Sequence, residues 1–452
     1  MKNSIVNVPD YALKALKILE TSGFEAYLAG GCIRDSLLGR VPHDWDITTN
    51  ALPEQVMESF GAFRVIPTGL KHGTVSVIID NELIEITTYR LDGEYSDNRR
   101  PDSVTFTGRL IDDLARRDFT VNAFAWNPKD GLVDFFDGVS DLENKIIRCV
   151  GNPKDRFNED ALRIMRGVRF ASELGFKIEP ATLNAMAELK ALLDNISYER
   201  IGAELSRAVM GQAFTKVFTR TPEILLQIIP EMQDCIGFNQ RSKYHIYDVY
   251  EHILVSVGCA ENDLQVRLAM LFHDIAKPES FKMDEDGEGH FKGHPQKSAK
   301  TAEAVLKRLR YDNHTIERVA LLIFYHDTTI PCNEKSAKRW LSKIGEQAMR
   351  QLLCVKTADD MAKNPDTAKK RQQETNTLCE IIDKIIEQEQ CYSLKDLAVN
   401  GSDLINTGIP RGKIIGRILE KLLNMVIDSE VENEKAALLQ AAAKIFNELD
   451  KE

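Results

Sequence analysis

The sequence has no Cys-x-x-Cys pair and no close grouping among its eight cysteines. A structural zinc site and a disulfide framework are therefore not expected. The sequence also lacks any run approaching the roughly twenty apolar residues that a membrane span needs. Its first residues carry charges every few positions instead of a continuous apolar signal segment. We interpret the chain as a reduced protein of the cytoplasm with no membrane partner.

Positive charge is in deficit, with 58 Lys+Arg against 69 Asp+Glu and a formal net charge of −11. This balance argues against a histone-like, generally basic nucleic-acid binder, but it leaves local basic sites open. With 452 residues, 43% hydrophobic and 28% charged, the composition predicts packed globular domains and excludes a disordered or collagen-like chain.

Strand signals are scarce after the first third of the chain. Residues 9–21 predict a helix, and residues 74–80 and 82–90 predict a hairpin. From about Asn152 onward, helical periodicity of 3.6 residues replaces β-type alternation. The fold class expected is therefore α+β, with an all-helical remainder. The expected segments are a head (1–150), a helical neck (151–213), a helical body (214–390) and a helical tail (391–452).

Two glycines followed by an arginine stand at the end of an apolar segment. Gly30-Gly31 lets the backbone approach a phosphate and Arg34 can hold the same oxygens, although an ordinary turn is the alternative. Asp44 and Asp46 follow in an expected strand, where residues two apart project from one face. Such carboxylates repel each other unless a cation such as Mg²⁺ lies between them; a solvated loop is the alternative.

The two motifs together resemble the DNA polymerase β-like nucleotidyltransferases. The flanking residues are similar to one branch of them, the class II tRNA nucleotidyltransferases or CCA-adding enzymes. The resemblance implies a head in which Gly31 and Arg34 hold a nucleoside triphosphate. It also implies that Asp44 and Asp46 hold the Mg²⁺ of an in-line displacement. For Glu85, a third nearby carboxylate, a solvent-facing position on a strand is the expectation.

Residues 116–123, RRDFTVNA, match a further motif of that family. Paired arginines beside an aspartate and an asparagine suit triphosphate and ribose contacts. A capped helix start with solvated arginines is the alternative. We assign Arg117 to the nucleotide.

A helix is predicted to begin at Asn158 and to carry Asp160 and Arg163 three residues apart. An acceptor beside a donor fork fits the amino group and ring nitrogen that C and A share, whereas U and G reverse that pattern. The resemblance implies that this pair is the protein template selecting the nucleotide. Arg166 and Arg169 are also assigned to the nucleotide. Each three-residue step displaces a side chain by about 60° around the helix, so Arg169 is expected nearly opposite Asp160. A structural salt bridge to the head is therefore the alternative for Arg169.

Residues 93–102, GEYSDNRRPD, predict a polar loop containing Arg99 and Arg100. In the family, a loop at this place is associated with the change from adding C to adding A. Its presence disfavours CC-only activity and leaves full CCA addition and A-only addition both open.

The second half of the chain contains histidines and aspartates in the pattern of the HD phosphohydrolase superfamily. Such ligands from several helices suit Ni²⁺, Mn²⁺, Fe²⁺ or Mg²⁺, while buried core histidines are the alternative. The candidate ligands are His252, His273, Asp274, His294, His326 and Asp359.

Arg411 and Lys413 stand in a glycine-rich turn before a predicted helix. Such a turn can hold an RNA phosphate, and a plain interhelical loop is the alternative. The resemblance favours contact with tRNA.

The sequence as a whole predicts a template-independent enzyme that extends the 3′ end of tRNA from CTP and ATP, with Mg²⁺ as cofactor. A secondary phosphohydrolase activity at a second divalent metal is a further expectation. Three alternatives remain: A-only addition, a bacterial poly(A) polymerase, and an HD phosphohydrolase whose head only binds RNA. Residues 67–74, PTGLKHGT, favour the CCA-adding branch over the poly(A) branch, and the intact aspartate pair argues against a non-catalytic head.

Overall fold

The computed structural model describes residues 7–93 and 103–449, which fold into two compact units. The first unit comprises Met1–Pro230 with Arg308–Arg310, and the second comprises Glu231–Lys307 with Tyr311–Glu452. The expected fold class is confirmed, because a mixed sheet in the first unit precedes a chain that is mostly helical. The finer division into head, neck, body and tail stays a prediction.

The first unit contains all but two of the named strands. Its helices are α1 (Asp10–Thr21), α2 (Gly31–Leu37), α3 (Pro53–Ser59), α4 (Leu110–Ala115), α5 (Gly138–Asn144), α6 (Pro153–Glu159), α7 (Leu162–Leu174), α8 (Pro180–Leu189), α9 (Tyr198–Val209), α10 (Phe214–Phe218) and α11 (Pro222–Ile228). Its strands are β1 (Ala26–Ala29), β2 (Ile47–Thr49), β3 (Arg64–Gly69), β4 (Thr74–Ile79), β5 (Glu82–Thr88), β6 (Arg90–Asp92), β7 (Val104–Phe106), β8 (Phe124–Asn127), β9 (Gly131–Asp134), β10 (Ile146–Ile147) and β11 (Lys177–Ile178).

A seven-stranded sheet in the order β3-β4-β5-β2-β1-β8-β9 forms the centre of the first unit. Strands β2 and β5 pair in parallel, with Ile47 opposite Ile86, and the other neighbours in this sheet pair antiparallel. Helices α1 and α3 supply apolar side chains to the core on this sheet, among them Leu16 and Val56, and Phe60 adds another directly after α3. The sheet is thus the platform from which the loops after β1 and before β2 extend.

The predicted first helix and hairpin are both confirmed. Helix α1 ends at Thr21, close to the expected end. Strands β4 and β5 pair antiparallel with Thr74 opposite Thr87. At the hairpin turn, Asp80 and Asn81 both have positive φ angles, 52° and 70°, as a two-residue type I′ turn requires.

The second unit is helical apart from one short ribbon. From residue 249 onward the helices are α12 (Val249–Cys259), α13 (Leu264–Phe272), α14 (Lys277–Ser280), α15 (His294–Arg308), α16 (Asn313–Tyr325), α17 (Glu334–Ile344), α18 (Glu346–Met361), α19 (Pro365–Glu387), α20 (Gly401–Asn406), α21 (Lys413–Ile427) and α22 (Lys435–Leu449), and the ribbon is β12 (Lys282–Met283) with β13 (Gly289–His290). Short 3₁₀ turns lie at Leu70–His72, Thr120–Asn122, Lys190–Asn195, Pro230–Cys235 and Leu394–Asp396.

Helix α13 is the central helix of the second unit. It packs against α12, α16 and α18, and every residue from Val266 to Phe272 is buried. A separate apolar cluster runs from Cys391 to Ile445 and joins α20, α21 and α22. Among the described residues, none of the helices has both the length and the apolar character needed to cross a bilayer.

Neighbouring residues of β5 test the orientation of this strand. Ile84 is 0% exposed and Leu83 is 53% exposed. We expect Ile84→Ala to lower the free energy of unfolding by about 2–5 kcal/mol, because it leaves a cavity in the core. Leu83→Ala is the matched control and should change it by less than about 0.5 kcal/mol. Equal losses in urea unfolding of the two variants would contradict the assigned faces.

Candidate active site and metal centre

The two aspartates of the D-x-D motif lie just before β2. Asp44 and Asp46 are exposed on either side of Trp45, which is buried. The prediction that they lie within a strand is wrong, because β2 begins only at Ile47. The backbone at Asp46 is nevertheless bonded to the neighbouring strand, since the amide of Ala29 in β1 donates to the carbonyl of Asp46 at 3.0 Å. The alternation of exposure nevertheless places both carboxylates on the same side, as the spacing predicted.

Glu85 brings a third carboxylate to this place. The parallel register sets Ile47 beside Ile86. Asp46, directly before β2, and Glu85, within β5, each precede one of these residues and are therefore neighbours on the same face. Local burial, then the charge of Asp44 and then that of Glu85 raise the pKa of Asp46 to about 6. Sequence patterns indicated a strand for Glu85 but not its closeness to Asp46, because they carry no information on which strand pairs with β2.

Gly30 makes room for Arg117. The φ angle of Gly30 is +89°, and a Cβ atom built on it would lie 2.6 Å from Nη1 of Arg117. Arg117 also pairs with the buried Asp113 at 3.4 Å, and Asp113 in turn accepts from Thr48 at 3.0 Å. Arg117 is close enough to Asp46 that its positive charge offsets part of the increase in the pKa of Asp46. The expected nucleotide ligand Arg117 thus lies at the glycine turn, whose second glycine, Gly31, begins α2.

Arg34 is fixed on both sides of its guanidinium. Nη1 donates to Oδ1 of Asn122 at 2.6 Å, while Nε and Nη2 both donate to the carboxylate of Asp35 at 2.9 Å. The side chain is 8% exposed. Arg34 is therefore a positioned group in the wall of the site.

Asp118 is a buried acceptor that connects several parts of the first unit. Its carboxylate accepts from the amide of Phe119 at 2.8 Å, from Nδ2 of Asn122 at 3.0 Å and from Nε of Arg166 at 2.7 Å. Burial alone would raise the pKa of Asp118, but Arg166 and Asn122 outweigh it and lower the pKa to about 2. Asn122 therefore bridges Arg34 and Asp118.

The predicted helix carrying Asp160 and Arg163 is interrupted at this motif. Helix α6 ends at Glu159 and α7 begins at Leu162, so that Asp160 has an extended backbone with φ −133° between them. Oδ1 of Asp160 accepts from the amide of Leu162 at 3.1 Å, because an aspartate there caps a helix start better than it continues one.

Two expectations for this segment are consequently corrected. Asn158 lies inside α6, and the residue that caps this helix is Asn152, whose side chain accepts from the amide of Lys154. Asp160 and Arg163 are also not paired along one helix face. The guanidinium of Arg163 instead contacts Oε2 of Glu159 at 2.7 Å.

Arg163 and Asp160 each have partners elsewhere in the first unit. Arg163 is 8% exposed and also donates to the carbonyl of Arg116 at 2.9 Å. Oδ2 of Asp160 lies 3.5 Å from a guanidinium nitrogen of Arg200. The protein therefore orients both members of the expected template pair separately.

Arg169 lies apart from the other assigned arginines in its ion pairing. Its Nε is 3.1 Å from Oε2 of Glu204 on α9. Arg169 therefore forms a structural ion pair, which was the alternative interpretation. The expected partner was in the head, whereas the observed partner, Glu204, lies on the helix α9. Burial lowers the pKa of Arg169 to about 10. The nucleotide contact assigned to Arg169 stays a prediction.

For two further sets of candidate residues, the structure does not define a binding site. Arg99 and Arg100, in the expected specificity loop, lie outside the described residues. Arg411 is exposed before α21 and Lys413 is the first residue of that helix, also exposed. Their contact with tRNA stays a prediction.

In the second unit, the four candidate histidines all direct the same ring nitrogen toward the backbone. Each Nδ1 atom lies 2.7–3.2 Å from a main-chain carbonyl oxygen. A carbonyl accepts only from N–H, so this contact puts the proton on Nδ1 and leaves the Nε2 lone pair available for a cation. The four are His252, His273, His294 and His326.

The Nε2 atoms of these histidines converge on Asp274. Oδ2 of Asp274 lies 3.3 Å from His252 and 3.2 Å from His273. Its Oδ1 lies 3.2 Å from His294 and 3.6 Å from His326. Two groups with metal-ligand geometry therefore share one carboxylate, an arrangement suited to a bridged pair of divalent ions.

Asp359, the sixth candidate ligand, joins the same cluster, with Oδ1 3.1 Å from Nε2 of His252. Lys363 pairs with Asp359, and Nζ of Lys277 lies 2.7 Å from Asp274. Burial disfavours a charged imidazole, but Asp274 and Asp359 outweigh it and raise the pKa of His273 to about 9. Without a cation His273 therefore also carries a proton on Nε2, which a bound metal would have to displace. A cavity of about 570 Å³ reaches the cluster and gives a small molecule access to it.

Sequence models of known families match much of the chain. The model for the poly A polymerase head domain matches residues 26–148, and that for tRNA nucleotidyltransferase domain 2 matches residues 294–442. A model for an RNA- and SrmB-binding site of polymerase A matches residues 175–235. The first of these covers the sheet, the glycine turn and the aspartate pair.

Whole-length relatives share one description. A CCA-adding enzyme of Pediococcus pentosaceus is 35% identical over 96% of this chain and 97% of its own length. Another from Ligilactobacillus salivarius is 34% identical over 98% and 99%. The solved CCA-adding enzyme of Bacillus stearothermophilus in complex with CTP superposes with a TM-score of 0.70 at 27% identity, covering 98% of both chains.

The buried Asp118 predicts a pH-dependent contribution to stability. Its folded pKa of about 2 is below the ordinary value of 3.8. Its stabilisation, about 2 kcal/mol, is therefore fully present above about pH 4 and is lost as the pH falls toward 2. In urea unfolding, the free energy of unfolding of wild type should exceed that of Asp118→Asn by a constant amount from pH 5 to 7 and by a smaller amount at pH 3.

The control for this measurement is Asp80→Asn, which removes an exposed ion pair with Lys14. It should cost less than about 1 kcal/mol, since solvent screens such pairs. A margin between wild type and Asp118→Asn that grows on acidification would contradict the proposed charge state of Asp118.

Proposed function

Because the chain belongs to the family of CCA-adding enzymes, we propose that it adds C and A to the 3′ end of tRNA, with CTP and ATP as donors. The observation that carries this proposal is the carboxylate cluster of Asp44, Asp46 and Glu85 beside the Gly30-Gly31 turn. The chain is a nucleotidyltransferase, and the remaining question is how these residues perform the transfer.

The carboxylate cluster fits Mg²⁺. The ligands are hard oxygen atoms. The pKa of Asp46 is raised by the protein atoms that surround its partly exposed carboxylate and then by the negative charges of Asp44 and Glu85, and a divalent cation relieves that repulsion. Bound there, the metal supplies the electrostatic stabilisation of an in-line displacement at the α-phosphate. We assign Asp44 and Asp46 as its principal ligands and add Glu85 as a third.

The glycine turn and two arginines would hold the triphosphate. At the Gly30-Gly31 turn the absence of side chains lets the guanidinium groups of Arg117 and Arg34 come close to the backbone, where both would face a phosphate bound at the turn. Arg34 is held by Asp35 and Asn122. Its guanidinium is therefore pre-oriented, so that little conformational entropy is lost when an anion binds.

Nucleotide selection is assigned to Asp160 and Arg163, with Arg166 close by. The protein fixes Arg163 through Glu159, while the longer 3.5 Å contact of Asp160 with Arg200 leaves its carboxylate able to accept from a base amino group. Donor and acceptor in this order fit the Watson–Crick edges of C and A. In this proposal the protein performs the reading that a template strand performs in a polymerase.

A tRNA extension assay tests the proposal. Three transcripts, ending before CCA, after CC and after CCA, are incubated with CTP, with ATP and with both, and the products are read at single-nucleotide resolution. We expect CCA on the first, A on the second and no extension of the third. Long A tracts would identify a poly(A) polymerase, and reaction of the second transcript alone would identify an A-only enzyme.

Variants of the carboxylates test the metal assignment within the same assay. Asp44→Asn with Asp46→Asn should lower transfer by at least about 10³-fold, since the charges that hold the metal are gone. Asp80→Asn, an exposed aspartate in the hairpin turn, is the control and should retain full activity. Retained incorporation by the double variant with an unchanged melting temperature would remove these residues from the catalytic centre.

The histidine cluster supports a second activity. We propose that the two histidine pairs of the second unit, together with Asp274, would hold two divalent ions, Ni²⁺, Mn²⁺ or Mg²⁺, which would activate water for the hydrolysis of phosphoesters. The observation behind it is that four Nε2 atoms with protons fixed on Nδ1 converge on one carboxylate. The ligand set is nitrogen-rich, which favours a transition metal over Mg²⁺ alone.

Metal content per chain tests this arrangement independently of turnover. All variants are made in a chain that carries Asp44→Asn and Asp46→Asn, so that only the second unit binds the metal. After loading with Mn²⁺ and desalting, this parent chain should retain two ions, and addition of Asp274→Asn should leave none. His252→Ala and His294→Ala should each lose one ion, because they belong to different groups. His314→Ala, a histidine outside the cluster, should retain both. A parent chain without bound metal, or equal loss in all variants, would refute the dinuclear site.

A further inference from the structure

The ring of Phe170 carries three guanidinium groups. The Cζ atoms of Arg169, Arg34 and Arg166 lie 4.1, 4.9 and 5.3 Å from the ring centroid. Phe170 is buried in α7, and its edge contacts Phe119 with centroids 6.0 Å apart. An aromatic face attracts cations at these distances, and the attraction is stronger where water is excluded.

Three like charges around one ring would repel each other if they were not balanced. Each guanidinium also has a carboxylate partner. The pairs are Arg34 with Asp35 at 2.9 Å, Arg166 with Asp118 at 2.6 Å and Arg169 with Glu204 at 3.1 Å. The carboxylates compensate the charges from the side, so that the ring face remains the contact that all three arginines share.

The arginines on the ring come from different elements. Arg34 belongs to α2, next to the glycine turn, while Arg166 and Arg169 belong to α7. A second connection runs from Arg34 through Asn122 and Asp118 to Arg166. Arg34 and Arg166 are thus connected twice, once through the ring of Phe170 and once through these hydrogen bonds, and the two connections together determine the distance between them.

We propose that Phe170 is a positioning residue for nucleotide selection. Its ring holds Arg34, assigned to the triphosphate, at a set distance from Arg166, assigned to the nucleotide beside Asp160 and Arg163. A bound triphosphate thereby fixes where the base meets the protein. This inference rests on the proposed function, because it presupposes that a nucleoside triphosphate occupies the site.

The test replaces the ring while keeping an apolar side chain. Phe170→Leu should raise KM for CTP and ATP by roughly threefold to thirtyfold, the factor expected for losing cation–π contacts. The ratio of kcat/KM for CTP over UTP should fall by a similar factor, while CTP binding without tRNA, measured by calorimetry, weakens in parallel. Phe170→Tyr keeps the ring face and should retain the KM values and selectivity of wild type.

Phe60→Leu is the matched control for lost packing. Phe60 is a buried phenylalanine of the sheet core with an edge contact to Phe63. It should lower the melting temperature about as much as Phe170→Leu, yet leave KM and the CTP/UTP ratio unchanged. A shift of selectivity in both variants would show that general loosening, and not the ring, controls the choice of nucleotide.

The remaining outcomes separate this inference from the function it rests on. If wild type adds neither C nor A, the proposed function fails. If wild type adds both and Phe170→Leu keeps its KM and selectivity, only the role of the ring is overturned. Where Phe170→Leu does not fold, Phe170→Met takes its place with the same expectation. Loss of CTP binding in a folded Phe170→Tyr would equally overturn the inference.

Discussion

The buried carboxylate of Asp118 is the interaction on which the first unit depends. A charge taken out of water is tolerated only when donors replace the lost hydration, and Asp118 has a backbone amide, Asn122 and Arg166 around it. The donors come from two stretches of chain, the segment that follows α4 and helix α7, which also meet through Arg163 with the carbonyl of Arg116 and through Phe119 with Phe170. Satisfying this one charge therefore holds α7 against that segment, and the residues assigned to the nucleotide lie on both.

Local signals predicted local features well. The hairpin with Asp80 and Asn81 and the first helix depend on turn chemistry and periodicity, which neighbours in sequence determine. The same-side placement of Asp44 and Asp46 followed from alternation alone. Glu85 was considered as a third carboxylate but was expected to face solvent, because its relation to Asp46 depends on the parallel pairing of β2 with β5, and no residue pattern encodes which strands become neighbours.

The region around Asp160 shows a different limit. A run of helix-forming residues was predicted as one helix, but Asp160 competes for a backbone amide and divides it into α6 and α7. The arginines that follow were assigned to the nucleotide as free positive charges. In the structure Arg163 and Arg166 are each paired with a carboxylate, so the local charge around them is largely neutralised. That the candidate histidines come together was predictable because the order of residue types is distinctive, whereas the position of Asp274 between the two histidine pairs required coordinates.

The parallel neighbours β2 and β5 also constrain when this site can exist during synthesis. Asp46 and Glu85 are about forty residues apart, and the intervening β3 and β4 must turn back before β5 can join β2. The strand on the other side of β1 is β8, later still in the chain. A nascent chain that has left the ribosome only as far as its aspartate motif therefore lacks Glu85, and the three carboxylates come together only after β5 has emerged and joined β2.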